Sequence, residues 1–135
     1  MMIRLASALL ITALVSPNAA ASAARSELKL TVAYGERPFP ATKTRTLTCD
    51  PVGGTHPFAG QACRDLDRAG GDFTRLPGDP GIPGCTREYD PVTVTARGHW
   101  KGRPVKFRWT YGNDCMRKFE SGPVFRLSYY GGSTQ

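Results

Sequence analysis

Strict alternation of apolar and polar residues marks three stretches of the chain as strands with one buried face. Leu28, Leu30, Val32 and Tyr34 alternate with Lys29, Thr31 and Ala33. Val92, Val94 and Ala96 alternate with Thr93, Thr95 and Arg97, and Val105, Phe107, Trp109 and Tyr111 alternate with Lys106, Arg108 and Thr110. The β-branched run Thr44 to Cys49 predicts a further strand, closed by the Pro- and Gly-punctuated loop Asp50 to Gly54. Val124 to Leu127 predicts a last one, and Gly98-His99-Trp100-Lys101-Gly102 reads as a hairpin link with His99 at its tip.

One segment has helical spacing. Ala59, Ala62, Cys63, Leu66 and Ala69 recur along one face. The predicted start is Thr55-His56-Pro57, where Thr or His caps and Pro takes the first helical position, and the stop is Gly70-Gly71. From Leu76 to Gly84 the prolines lack donors and the glycines interrupt packing, so neither a helix nor a central strand is sustained. This is an exposed loop, and its three prolines limit the freedom of the residues that follow, Cys85-Thr86-Arg87-Glu88-Tyr89. Five strands and one main helix predict an α+β domain with an antiparallel sheet.

The N-terminus lies outside that pattern. Arg4 precedes an apolar run from Leu5 to Val15, then Pro17 and the small-residue tract Asn18 to Ala24, the layout of a secretory signal peptide. The run is too short to cross roughly 30 Å of hydrocarbon as a helix. Residues 1–23 are therefore expected to be removed after Ala21-Ser22-Ala23, with Ala19-Ala20-Ala21 as a second match, leaving a soluble, extracellular domain over 24–135 with no membrane partner. Export favours disulfides. Cys49, Cys63, Cys85 and Cys115 allow three connectivities, and no two of them are spaced as a zinc site requires. A bridge from Cys49 to Cys63 would pin the helix to the second strand, closing about 15 residues for roughly 3 kcal/mol. No metal or cofactor is expected.

The formal net charge of +7 leaves the chain basic, but the cations are scattered singly and pairwise among acids and read as a solvated surface. Lys106-Phe107-Arg108-Trp109 superficially resembles a base-stacking platform. Alternation instead places Phe107 and Trp109 with Val105 and Tyr111 as core or interface, and no nucleic-acid partner is expected. For a hydrolase the inventory is thin: His56 is explained at the helix start, His99 at the hairpin, and Ser121 lacks a G-x-S-x-G surround. The chain is not expected to be an enzyme.

Several blocks, taken in order, point further: Leu47-Thr48-Cys49; Gly54-Thr55-His56-Pro57 with Ala59-Gly60, Ala62-Cys63 and Asp65-Leu66; Gly70-Gly71-Asp72; Tyr89-Asp90-Pro91-Val92; and Asn113-Asp114-Cys115. With all four cysteines placed among them, the sequence resembles the Streptomyces subtilisin inhibitor family of serine protease inhibitors from Leu28 to about Phe125. The resemblance implies bridges Cys49–Cys63 and Cys85–Cys115, a five-stranded antiparallel sheet carrying two helices, and a homodimer. It also implies that the reactive bond lies two residues after the third cysteine, at Arg87–Glu88. Two departures stand out: Thr86 occupies a position where members often have Pro, and the chain runs on past Phe125 through Tyr129-Tyr130-Gly131-Gly132.

Members of that family lay an extended loop along the protease cleft as a substrate that is cut very slowly. A preorganised loop loses little entropy on docking, and the tethered ends of a cut bond rejoin before water intervenes. On this reading Cys85, Thr86 and Tyr89 contact the protease with Arg87 and Glu88, and Asn113 braces the loop. Arg87 predicts trypsin-like targets, because a pocket with Asp at its base pairs with guanidinium. Subtilisin-like enzymes, which contact many loop positions, remain partners. The alternative is a basic secreted binding module with no inhibitory activity, set apart by salt-sensitive binding that is indifferent to Arg87.

Overall fold

A computed structural model describes residues 8–14 and 24–129. Most of the expected signal segment and the tail from Tyr130 onward lie outside the described residues. Strand β1 (Ser26–Tyr34) is central, flanked by β2 (Lys43–Cys49) and β4 (Val92–Trp100); β3 (Gly53–Gly54) and β5 (Arg103–Tyr111) form the edges. Every pairing is antiparallel. Helix α1 (Ala59–Arg68) follows β3, a single 3-10 turn spans Phe73–Arg75, and α2 (Asp114–Ser121) follows β5.

Register turns the alternating pattern into two faces. Leu28, Leu47 and Gly98 stand side by side, as do Leu30 and Ala96, and Val32 and Val94. This face carries the core, closed by Ala62, Cys63 and Leu66 of α1, by Phe73, and by Val124, Phe125 and Leu127. Phe107 stacks on Phe73 with ring centroids 5.2 Å apart. Trp109, expected beside it as core or interface, is 53 % exposed. On the opposite face buried Thr31 and Thr95 hydrogen-bond each other, and Thr93 Oγ1 donates to the Gly35 carbonyl at 2.7 Å.

Three details differ from the sequence expectation. The fifth strand is β3, not Val124 to Leu127. Val124, Phe125 and Leu127 are buried, but the carbonyls of Val124 and Phe125 go to side chains: His56 Nε2 donates to Val124 O at 2.8 Å and Arg117 to Phe125 O at 2.6 Å. The regular helix begins at Ala59, not at Thr55 to Pro57, because Thr55 stays with the sheet through reciprocal bonds to Thr46 (2.9 and 3.1 Å). The hairpin link is shorter than expected, with Trp100 paired to Arg103 and His99 within β4. Only Lys101 and Gly102 form the turn, both at positive φ (46° and 80°), the two-residue type whose twist matches the strands.

The loop Leu76 to Gly84 is free of helix and strand, yet it is tied down. Gly78 is buried against the end of α2, where a Cβ would strike the Phe119 carbonyl. The next amide, Asp79 N–H, donates to that same oxygen at 2.9 Å, and the Asp79 carboxylate accepts from Gly81 N at 2.8 Å and pairs with Arg126 at 3.4 Å. The segment reaching Cys85 is thus fastened to α2 before it arrives.

Candidate functional site

Residues Thr86 to Asp90 are exposed and belong to no helix or strand. What fixes them is a set of attachments on both sides of Arg87. Upstream, Cys85 is joined to Cys115 in the first turn of α2; the other bridge is Cys49–Cys63, so the sulfurs pair as the resemblance implies. Beneath the loop, Asn113 is the N-cap of α2: its Oδ1 accepts from Met116 N at 2.9 Å. That bond orients the amide so that Nδ2 faces outward, where it donates to Thr86 O and to Glu88 O, both at 2.9 Å. The carbonyls on either side of Arg87 are therefore drawn inward by one buried side chain, while the Arg87 carbonyl lies between them, outside that grip.

Downstream, Asp90 N–H donates to Gly112 O at 2.8 Å and Gly35 N–H to Pro91 O at 2.7 Å, which carries the chain into β4. The Tyr89 hydroxyl donates to the Glu36 carboxylate, and this bond, with the Glu36 charge, raises the phenol pKa above its ordinary value. Arg108 leans across to Glu36 O at 3.4 Å. Among the described residues no hydrogen bond or ion pair holds the side chains of Arg87 or Glu88, and both are exposed. Glu36 is the member of this site that the sequence reading missed. The one signal for it is the β1–β4 register, which pairs Tyr34 with Val92 and so sets the turn after β1 beside the loop before β4.

The α2 platform is itself anchored. Arg117 is buried, bonded to the Asp114 carboxylate at 2.6 Å and to Phe125 O. Burial alone would push the Asp114 carboxyl up; the Arg117 bond and charge, with Lys118 at 3.3 Å, outweigh it and hold it below 3.8. Ser121 is fully buried and donates to Arg117 O at 2.5 Å. Buried Tyr111, beside it, is pushed up to about 12, chiefly by burial and also by the Glu120 charge. His56 has both ring nitrogens committed to backbone, to Val124 O and to Phe58 N, so neither serves as a base. Ser121 and His56 thus have structural partners, and the geometry offers a presented peptide segment.

The sequence profile of the subtilisin inhibitor-like family matches residues 24–113. The chain belongs to that family. Subtilisin inhibitor-like protein 7 of Streptomyces ambofaciens is 47% identical over 105 residues, covering 76% of this chain and 95% of the relative. A probable subtilase-type protease inhibitor of Streptomyces avermitilis is 44% identical over 117 residues, covering 83% and 81%. Among solved structures, Streptomyces caespitosus sermetstatin, crystallised in complex with Bacillus licheniformis subtilisin, superposes with a TM-score of 0.63 at 34% identity, covering 74% of this chain and 96% of that one. The subtilisin inhibitor-like fold accounts for the five-stranded antiparallel sheet, the two helices and both bridges.

Proposed function

We propose that this subtilisin inhibitor-like protein is a secreted, substrate-like inhibitor of serine endopeptidases, with Arg87–Glu88 as its reactive bond. The observation that carries the reading is the Asn113 amide, which grips the carbonyls flanking Arg87 while Cys85 is bonded to the same helix start. A loop held this way docks with little loss of freedom, and both sides of a cut bond stay in register for resealing. The exposed guanidinium favours trypsin-like enzymes; subtilisin-like enzymes, one of which is the partner in the sermetstatin complex, are the second target class. Cys85, Thr86 and Tyr89 are the neighbouring contacts. Removal of a leader over residues 1–23 and the homodimer belong to the same proposal, and two intact bridges suit an oxidising, extracellular setting.

The test titrates the mature protein against trypsin and a subtilisin, with Arg87→Ala alongside. Stoichiometric trypsin inhibition is expected for the parent and lost in the variant, and brief exposure to trypsin is expected to yield a new N-terminus at Glu88. Inhibition of trypsin that survives Arg87→Ala, or a new terminus elsewhere, overturns the assignment. Sedimentation of the same preparation reads the dimer.

A further inference from the structure

Trp109 stands on the core side of β5, in the same alternating row as Phe107 and Tyr111, yet it is the most exposed of the three. It lines a cleft of about 510 Å³ between β5, the 3-10 turn and the end of α2. Phe73, Phe107 and buried Tyr111 line the cleft from the core, and exposed Trp109 and Phe119 line its mouth. A concave, largely aromatic space of this size with few polar groups has the dimensions of a small-ligand site.

Its charge runs against that of the molecule. In a chain with 18 Lys and Arg against 11 Asp and Glu, the cleft is lined by two acids and no base. One of the acids, Asp79, is satisfied by Gly81 N–H and by Arg126. The other, Glu120, is exposed in the last turn of α2, where the helix already ends in partial negative charge and a carboxylate is disfavoured. Lys118, the base of that turn, pairs instead with Asp114 at 3.3 Å, and among the described residues no cation lies within ion-pair distance of Glu120. The Glu120 charge is felt inside the cleft, where, second to burial, it raises the Tyr111 phenol pKa. The protein's own cations cover other rings. Lys101 lies over Trp100 at 5.6 Å and Arg126 over Phe58 at 5.4 Å from the ring centre, and among the described residues none lies over Trp109 or Phe119.

An anion would meet two carboxylates here, and a neutral apolar body would leave Glu120 uncompensated. The exposed apolar surface is two rings and two prolines, well below the roughly 800 Å² per partner that a stable protein interface covers. What matches is a small molecule with a cationic head for the rings and the carboxylate, and an apolar body for the cleft.

We infer that this cleft binds a small organic cation of the alkylammonium class, its head held by Trp109, Phe119 and Glu120 and its apolar body against Phe107 and Tyr111. None of residues 85–91 lines the cleft, so the site is separate from the presented loop.

The probe is benzyltrimethylammonium, set against 2-methyl-1-phenyl-2-propanol, which has nearly the same shape and no charge. Calorimetry reads affinity, and tryptophan emission reads the place of binding. Of the two tryptophans Trp100 is buried, so the solvent-sensitive emission is that of Trp109, and filling the cleft should shift it to shorter wavelength. The cation is expected to bind about tenfold more tightly than the alcohol, the size of a cation–π contact aided by a carboxylate. Glu120→Gln should close that gap and leave the alcohol's affinity as it was. Its thermal midpoint without ligand should be no lower than the parent's, because it removes an anion from the negative end of α2. Asp67→Asn, which removes one negative charge from α1, should keep the gap. No binding of the cation, equal binding of cation and alcohol, a gap that survives Glu120→Gln or closes as fully in Asp67→Asn, or binding that leaves the emission unmoved each overturns the proposal. Dissociation of a parent dimer by the cation overturns it too, since the cleft would then belong to a second copy.

Discussion

Asn113 does two jobs with one planar amide, and the two can be separated chemically. Its oxygen caps α2 and its nitrogen holds Thr86 O and Glu88 O. Asn113→Asp keeps an oxygen for the cap but turns oxygen toward two carbonyls, so the loop is released and the helix is not. The expected result is a domain of near-parent stability that trypsin digests instead of stalling on. Asn113→Ala should lose both, at about 1 kcal/mol for the cap alone, together with temporary inhibition. Comparing urea midpoints with the decay of inhibition over time checks this; equal inhibition lifetimes for parent and Asn113→Asp would falsify the bracing role. Glu36→Ala tests the other tether. It leaves Arg87 and its flanking carbonyls untouched but frees the Tyr89 side of the bond, so the initial stoichiometry should hold while hydrolysis at Arg87–Glu88 quickens.

At the scale of elements, His56 couples the start of α1 to the C-terminal segment. Val124 O can only accept and Phe58 N–H can only donate, so the ring is neutral with its proton on Nε2. Protonating Nδ1 would set two donors against each other. Burial lowers the pKa from 6.5, with the Val124 bond opposing and the Arg45 charge assisting. Below pH 6.5 the unfolded chain therefore takes up the proton before the folded one does. The stability from neutral His56 is complete above that value and is lost progressively as pH falls toward the lowered native pKa. The thermal midpoint should drop between about pH 7.5 and pH 5 in the parent, and His56→Gln, which keeps a donor and an acceptor but does not titrate, should flatten that part of the profile. A profile unchanged by the substitution assigns the dependence to another group. The same contact explains why Val124 to Leu127 resembled a strand. Their apolar residues were legible, but the groups that take up the Val124 and Phe125 carbonyls lie on His56 and Arg117, and side chains arriving from distant elements leave no local pattern. Strand β3 was hidden for the opposite reason: two glycines carry no side-chain alternation at all. Strands β1, β4 and β5 were legible because each sets apolar residues at every second position against the same core.

Across the whole molecule, the two bridges fasten different things, and removing them one at a time shows which constraint matters for inhibition. Cys49–Cys63 ties α1 to β2 in the core, whereas Cys85–Cys115 ties the presented loop to α2, as the order of cysteines and the family blocks allowed the sequence reading to anticipate. The Glu36 tether was not legible, since residues 36 and 89 become neighbours only once β1 and β4 are in register. Chain-entropy estimates are similar for both bridges, about 3 kcal/mol for the shorter loop and somewhat under 4 kcal/mol for the longer. If stability alone governed inhibition, Cys49→Ser/Cys63→Ser and Cys85→Ser/Cys115→Ser would weaken it to about the same degree. If the loop must be moored, the two part ways. The first variant, assayed where it remains folded, should inhibit trypsin as the parent does at a lowered thermal midpoint. The second should keep its sheet and α1, yet be cleaved after Arg87 as an ordinary substrate, because the covalent mooring two residues before Arg87 is gone and only hydrogen bonds, those of Asn113 nearest the bond, then hold the loop. Circular dichroism establishes the folded fraction and a progress curve against trypsin reads the inhibition; matched losses in the two variants would return the loop's resistance to general stability.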